Sequence, residues 1–200
     1  MNPPRLAILA SGQGSTLKSI VDAQLSGALQ ASIAGVLSNR PGIGALSVAR
    51  NFDIPTMVLD PKAFHNRTEW NEAVLETLKK WQVDWVILAG FLTLLGAPVL
   101  RAFPNRIVNT HPSLLPKFGG PGMYGRRVHE AVLASGDRET GFSVHLVNEQ
   151  YDEGRILIQM KVGIQPSDRV EDIEARVRSL EQRHFPKIIN DLVTARMKVN

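Results

Sequence analysis

The sequence predicts an α/β protein: a Rossmann-like, mostly parallel sheet flanked by helices, with an antiparallel C-terminal addition. Three observations carry this. Short apolar runs alternate with stretches whose apolar residues recur at helical spacing through the first hundred residues. The run Trp85-Val86-Ile87-Leu88 is almost continuously apolar, as a parallel strand covered on both faces requires. Residues 140–147 and 155–162 are two strand-like runs joined by a polar loop, which suits an antiparallel pair.

Taken in order, residues 5–10 form a buried strand that ends in Ser11-Gly12-Gln13-Gly14-Ser15-Thr16, and Leu17, Ile20, Val21 and Leu25 then mark a helix. Strand, glycine loop and helix together can hold a phosphate on backbone N–H groups. The loop lacks the Gly-Lys-Ser/Thr of a Walker motif. It also lacks the third glycine of a dinucleotide fingerprint, since Leu17 stands there, and the second strand (32–37) ends in Ser38-Asn39-Arg40 without an acidic residue. An anion site for a mononucleotide-like phosphate and a simple tight turn both remain open. A helical stretch over 41–51 and a third strand over 53–59 come next. A loop carrying Lys62, His65 and Arg67 then leads to a helix over 70–81, its Trp70, Val74, Leu75 and Leu78 reading as core. On composition alone Arg67 is a solvated loop charge.

After the fourth strand (84–88) the chain continues Ala89-Gly90-Phe91-Leu92-Thr93-Leu94-Leu95-Gly96, unusually apolar for a loop. It either packs into the core or walls an apolar pocket for a flat ligand. A short helix over 98–103 precedes Arg106-Ile107-Val108, where an apolar run stops at Asn109 and His111. Residues i and i+2 of a strand share a face, so both could aim into one cavity; a strand end capped by polar residues is the plainer alternative. An amide donor beside a titratable ring suits a reaction that develops an oxyanion and moves a proton. Both follow a strand's carboxyl end, as do the glycine loop and the apolar loop, and ligands of parallel sheets sit there.

Residues 117–125 are glycine-rich and read as mobile, and a helix over 127–135 succeeds them. His145, on the first of the paired strands, reads as a packed or surface residue, and Asp152 as a turn residue. The last helix is expected to be capped by Ser167 and kinked at Pro186. Composition excludes several classes. With no cysteine there are no disulfides, thiolate nucleophiles or cysteine-held metals. A net charge of +4 is spread without basic blocks, which favours small anions without demanding nucleic acid. The N-terminus has one positive charge and too short an apolar run for a signal peptide, and residues 86–100 are too short for a membrane span, so a soluble, cytoplasmic protein is expected.

Asn109-Thr110-His111-Pro112-Ser113-Leu114-Leu115-Pro116, with Asp152 in Tyr151-Asp152-Glu153-Gly154, resembles the formyltransferase superfamily that uses 10-formyltetrahydrofolate. Leu88-Ala89-Gly90-Phe91, Gly136-Asp137, residues 140–145 and the loop Ser11-Gly12-Gln13-Gly14-Ser15 match as well. The resemblance spans roughly residues 6–192. It implies the formyltransferase fold as one catalytic domain over 1–200, with a phosphate-binding half (1–105) and a folate and catalytic half (106–200). The branch it resembles best formylates the primary amine of glycinamide ribonucleotide in purine (IMP) synthesis, with formyl-folate as co-substrate and no metal.

By that resemblance Asn109, His111 and Asp152 are catalytic, with His111 held as imidazolium by Asp152. Gly12, Gln13, Gly14 and Ser15 take the substrate phosphate, and Glu181 the ribose. Arg67, Leu92, Thr93, Leu94, Leu95, Asn109, Val147, Asn148 and Asp152 contact folate. Small-molecule partners only, no membrane, and a monomer or homodimer are implied. Formylation of methionyl-tRNA or of an amino sugar nucleotide is the sister alternative, and a binding module without catalysis the more distant one. Three departures bear on the folate side. Glu153 replaces a common glycine, Thr93 replaces a common basic residue, and the loop over 118–127 is several residues longer than in the shortest relatives.

Overall fold

The computed structural model describes residues 2–197. One seven-stranded sheet runs through the chain in the order β3-β2-β1-β4-β5-β6-β7. The strands are β1 (Arg5–Ala10), β2 (Ser32–Ser38), β3 (Thr56–Val58), β4 (Trp85–Leu88), β5 (Ile107–His111), β6 (Glu139–Leu146) and β7 (Ile156–Gly163). The first five are parallel; β6 joins β5 antiparallel and β7 joins β6 antiparallel. The order reverses between β1 and β4, which opens a crevice at their carboxyl ends.

Among the described residues six α-helices flank the sheet: α1 (Ser15–Leu25), α2 (Gly44–Asn51), α3 (Arg67–Lys80), α4 (Ala97–Ala102), α5 (Arg126–Ser135) and α6 (Val170–Val193). Alternating residues of the central strands split the core in two. Leu6, Ile8, Ile87 and Val108 meet α1, α2 and α6 through Leu17, Ile20, Ala45, Ile173, Val177 and Phe185. Ala7, Leu9, Val86 and Ile107 meet α3 and α4 through Trp70, Val74, Leu78 and Val99. Both faces of these strands are buried, which is why they read as unbroken apolar runs.

Several boundaries differ from expectation. The third strand keeps only three residues, because Asp53 turns left-handed (φ 54°) just past α2 and Pro55 has no N–H to give the ladder. Helix α2 begins at Gly44, since Gly42 sits at φ 71°. Helix α3 begins three residues before the expected Trp70, capped by Asn66, whose side chain accepts from the Glu69 amide at 2.9 Å. Ser167 does not cap α6. The cap is Arg169, whose amide donates to the Asp172 carboxylate at 2.9 Å. Helix α6 continues through Pro186 to Val193, and buried Ile188, Ile189 and Leu192 carry its apolar stripe beyond the proline. No helix among the described residues is long and apolar enough to cross a membrane.

Candidate active site

Strand β5 ends at His111, and the segment after it is fixed by a buried serine. Ser143 of β6 donates from its hydroxyl to the Ser113 carbonyl at 2.6 Å and accepts from the Leu115 amide at 2.9 Å. Gln159 of β7 donates to the same hydroxyl and to the Leu115 carbonyl. The Pro-Ser-Leu-Leu-Pro segment is thus bolted to the antiparallel addition, and the register of β5 on β6 places Asn109 opposite His145.

Asn109 donates its amide N–H to His145 Nε2 at 2.9 Å and approaches Asp152 Oδ1 at 3.4 Å. The Leu146 carbonyl, an acceptor, lies 2.8 Å from His145 Nδ1. In the neutral ring Nδ1 therefore carries the proton, and Nε2 is left to accept from Asn109. Asp152 Oδ2 stands 3.4 Å from His111 Nδ1 and accepts from the Gly120 amide at 3.0 Å. His111 Nε2 donates to the Phe118 carbonyl at 2.8 Å. The glycine-rich loop, expected to be mobile, is thus hydrogen-bonded to the site at two points. His145, which the sequence reads as packed or at the surface, is packed and 2% exposed, but packed into this cluster. Alternation along β6 could have placed it on the Asn109 face only if the β5–β6 register had been known.

Electrostatics correct one expectation. Burial lowers the His111 pKa, and it outweighs Asp152 and the Phe118 carbonyl, which both favour the cation. The buried setting thus favours the neutral ring, against the imidazolium that the resemblance implies. Burial alone would raise the Asp152 carboxyl, but the His145 contact, the His111 ring and the Gly120 amide together hold it below its ordinary value. Two acceptors, a carbonyl and a carboxylate, face the two His111 nitrogens, and only the imidazolium would satisfy both. The ring is poised to take up a proton.

A cavity of about 580 Å³ joins this cluster to the glycine loop, lined by Gly12, Gln13, Gly14, Ser15 and Thr16 together with Asn109, His111, Asp152 and Glu181. All five residues expected at phosphate and ribose line it. Gly14 caps α1 at φ 84°, and α1 has no side-chain cap, so its first-turn amides face the cavity without a side-chain acceptor. A Cβ on Gly14 would lie 2.6 Å from the Ala45 backbone, and Ala45 in turn holds the loop by donating to the Gly12 carbonyl. Thr16 donates to Glu181 at 2.7 Å, tying α1 to α6, and burial raises the Glu181 pKa.

The expected folate residues divide. Leu92 is 37% exposed and lines the cavity; Arg67, Thr93, Leu94, Leu95, Val147 and Asn148 do not. Leu95 is 1% exposed, its side chain committed to the core, so only its backbone remains to offer. The Thr93 hydroxyl accepts from Asn39 at 2.7 Å, and the Asn148 side chain accepts from Gln150. Arg67 is not a free loop charge. It opens α3, stacks on Trp70 at 4.9 Å and donates to the Leu94 carbonyl, latching the apolar loop. Glu174, Val177 and Arg178 of α6 and His129 of α5 also line the cavity, none of them singled out by sequence. Among the described residues no group of three His, Cys, Asp or Glu is placed to hold a metal.

A parallel sheet with an antiparallel addition, an anion-ready loop at its switch point and an amide–imidazole–carboxylate cluster make a site equipped for proton transfer beside a bound anion. The chain belongs to the formyl transferase family, whose model matches residues 4–189. It is 38% identical over 195 residues to the phosphoribosylglycinamide formyltransferase of Haemophilus influenzae, covering 98% of this chain and 90% of that protein. It is 40% identical over 194 residues to the chloroplastic phosphoribosylglycinamide formyltransferase of Vigna unguiculata, covering 96% of this chain but spanning only 62% of the plant protein's length. Among solved structures, glycinamide ribonucleotide transformylase 1 of Symbiobacterium toebii superposes with a TM-score of 0.92 at 35% identity, over 100% of this chain and 92% of that one.

Proposed function

We propose that this chain transfers the formyl group of 10-formyltetrahydrofolate to the primary amine of glycinamide ribonucleotide, giving formylglycinamide ribonucleotide in purine (IMP) biosynthesis. One observation carries the reading: a single cavity has an anion-ready glycine loop at one end and Asn109, His111 and Asp152 at the other. That spacing suits an acceptor with a phosphate at one end and a reacting nitrogen at the other. The names of the relatives supply the particular acceptor.

The substrate amine attacks the formyl carbon, and the carbonyl electron pair moves to oxygen. Asn109 donates to that oxyanion the N–H that otherwise points at Asp152, 3.4 Å away, and keeps its shorter bond to His145. Neutral His111 takes the proton released by the new ammonium, and Asp152 and the Phe118 carbonyl stabilise the imidazolium. As the intermediate collapses, the bond to the folate nitrogen breaks and His111 returns its proton to that nitrogen. In this reading Gly12, Gln13, Gly14 and Ser15 hold the phosphate and Glu181 the ribose. Leu92 walls the pterin with backbone groups of residues 93–95, 147 and 148, and Arg67 positions that wall through Leu94.

The reading treats residues 1–105 and 106–200 as two halves of one catalytic domain, and the cavity's lining from both supports it. A cytoplasmic setting, small-molecule partners and a monomer or homodimer belong to the same reading. The test is to give the purified chain 10-formyltetrahydrofolate with glycinamide ribonucleotide, methionyl-tRNA or an amino sugar nucleotide. Release of tetrahydrofolate with glycinamide ribonucleotide is the expected result; transfer only to another amine overturns the assignment.

A further inference from the structure

Four buried side-chain atoms among the described residues have no hydrogen-bond partner, and two of them, Thr110 Oγ1 and His129 Nδ1, belong to residues lining the cavity. Thr110 is 7% and His129 3% exposed. Both atoms are closed off where they stand, and a turn about χ1 of Thr110 or χ2 of His129 presents each to a ligand in the cavity that its residue lines, where it gains the partner a buried polar group requires.

Their placement comes from the fold. Thr110 lies between Asn109 and His111 on β5, so its side chain takes the opposite face, towards α6. Because β5 stops at His111, both faces of its last residues open on the same cavity. His129 sits on α5, within electrostatic reach of His111 and of Glu174 and Arg178 on α6. The latter two pair with each other one turn apart, so their charges cancel locally. Burial lowers the His129 pKa further than Glu174 raises it, which keeps the ring neutral. A neutral hydroxyl, a neutral ring and a self-compensated ion pair recognise uncharged donors and acceptors. They are not a second phosphate site.

We infer that Thr110 and His129 form a hydrogen-bonding wall that reads the uncharged amide-and-hydroxyl segment of the acceptor, between its phosphate and its reacting amine. The inference rests on the function proposed above and adds two residues that set acceptor specificity. The wall lies on the α6 side of the cavity, which Glu174, Arg178 and Glu181 also line.

The experiment is steady-state kinetics with acceptor and 10-formyltetrahydrofolate varied separately, on Thr110→Val, Thr110→Ser, His129→Leu and His129→Asn. Thr110→Val keeps the shape and deletes the hydroxyl. It should raise the acceptor KM about fivefold, the worth of one uncharged hydrogen bond, while the folate KM stays at the wild-type value. Thr110→Ser should restore the acceptor KM, and His129→Asn should recover part of the loss seen in His129→Leu. Unchanged acceptor KM in both Thr110→Val and His129→Leu overturns the inference, because these atoms then stay unpaired whether or not the acceptor is bound. A rise in folate KM instead also overturns it. Should His129→Leu fail to fold, the isosteric Thr110 pair still decides. Should the wild-type protein prefer another amine, the proposed function fails, and the Thr110→Val and Thr110→Ser contrast measured on that amine tests the wall separately.

Discussion

Asp152 is held where its backbone does not want to be. Its φ of 57° lies in the left-handed region, as does that of Phe118. Each costs on the order of 1 kcal/mol for a residue with a Cβ. The return is placement: the carboxylate meets Asn109, His111, His145 and the Gly120 amide at once. Asp152→Asn preserves the shape and removes the charge that stabilises a protonated His111. Its kcat should fall about 10²–10⁴-fold with substrate KM values little changed, and a kcat near wild type in a steady-state assay would remove Asp152 from the mechanism. His111 also ties stability to pH. Its folded pKa lies below the ordinary 6.5, so the unfolded chain takes up the proton first on acidification. The contribution is complete above 6.5 and is lost as pH falls below it; Asp152 adds a loss of the same sign below 3.8. His111→Asn should therefore show a shallower fall in Tm between about pH 7 and 5, with His129 retaining part of the slope. Equal slopes in variant and wild type would contradict this.

At the scale of elements, the catalytic turn depends on two close approaches. A Cβ on Gly154 would lie 1.6 Å from the Leu146 carbonyl oxygen, so the chain passes from β6 to β7 there only with a glycine. Gly154→Ala should displace Asp152 and destabilise the protein by about 2–4 kcal/mol, read as a lower urea midpoint together with lost activity. Glu153 is accommodated because the tight contact falls one residue later, at Gly154. Gly14→Ala is different: strained at φ 84° and pressed against Ala45, it should disturb the loop before α1. The acceptor KM should rise more than the folate KM, and a purely folate-side effect would argue against a phosphate site at this helix start.

For the whole molecule, the decisive property is one sheet with two cores. Residues 1–105 alone would leave β4 without β5, and α1 without the α6 residues Ile173, Val177 and Phe185 that cover its face. That fragment should show no cooperative thermal transition by circular dichroism, whereas the full chain should unfold in a single one. A cooperative melt of the fragment would show that the halves fold apart. Periodicity and strand–helix alternation made this architecture legible: every expected strand and helix is present, and the errors lie at ends. They lie there because caps such as Asn66 and Arg169 are local hydrogen-bonding choices that hydrophobic spacing does not report.

By itself the sequence determined the α/β alternation, the apolar central strands and a motif, Asn109 to Pro116, whose resemblance to the formyltransferase superfamily implied one chemistry. Strand periodicity is local, and so are glycine turns and proline stiffening, so one chain read in order contains them. Only the tertiary structure decided that His145 stands opposite Asn109, that Ser143 and Gln159 fix the turn after His111, and that Arg67 latches the apolar loop. It also decided that burial favours the neutral His111 ring, because burial is a sum over residues distant in sequence and outweighs the single carboxylate beside it. Long-range register and desolvation are properties of the packed whole, and no window of sequence carries them.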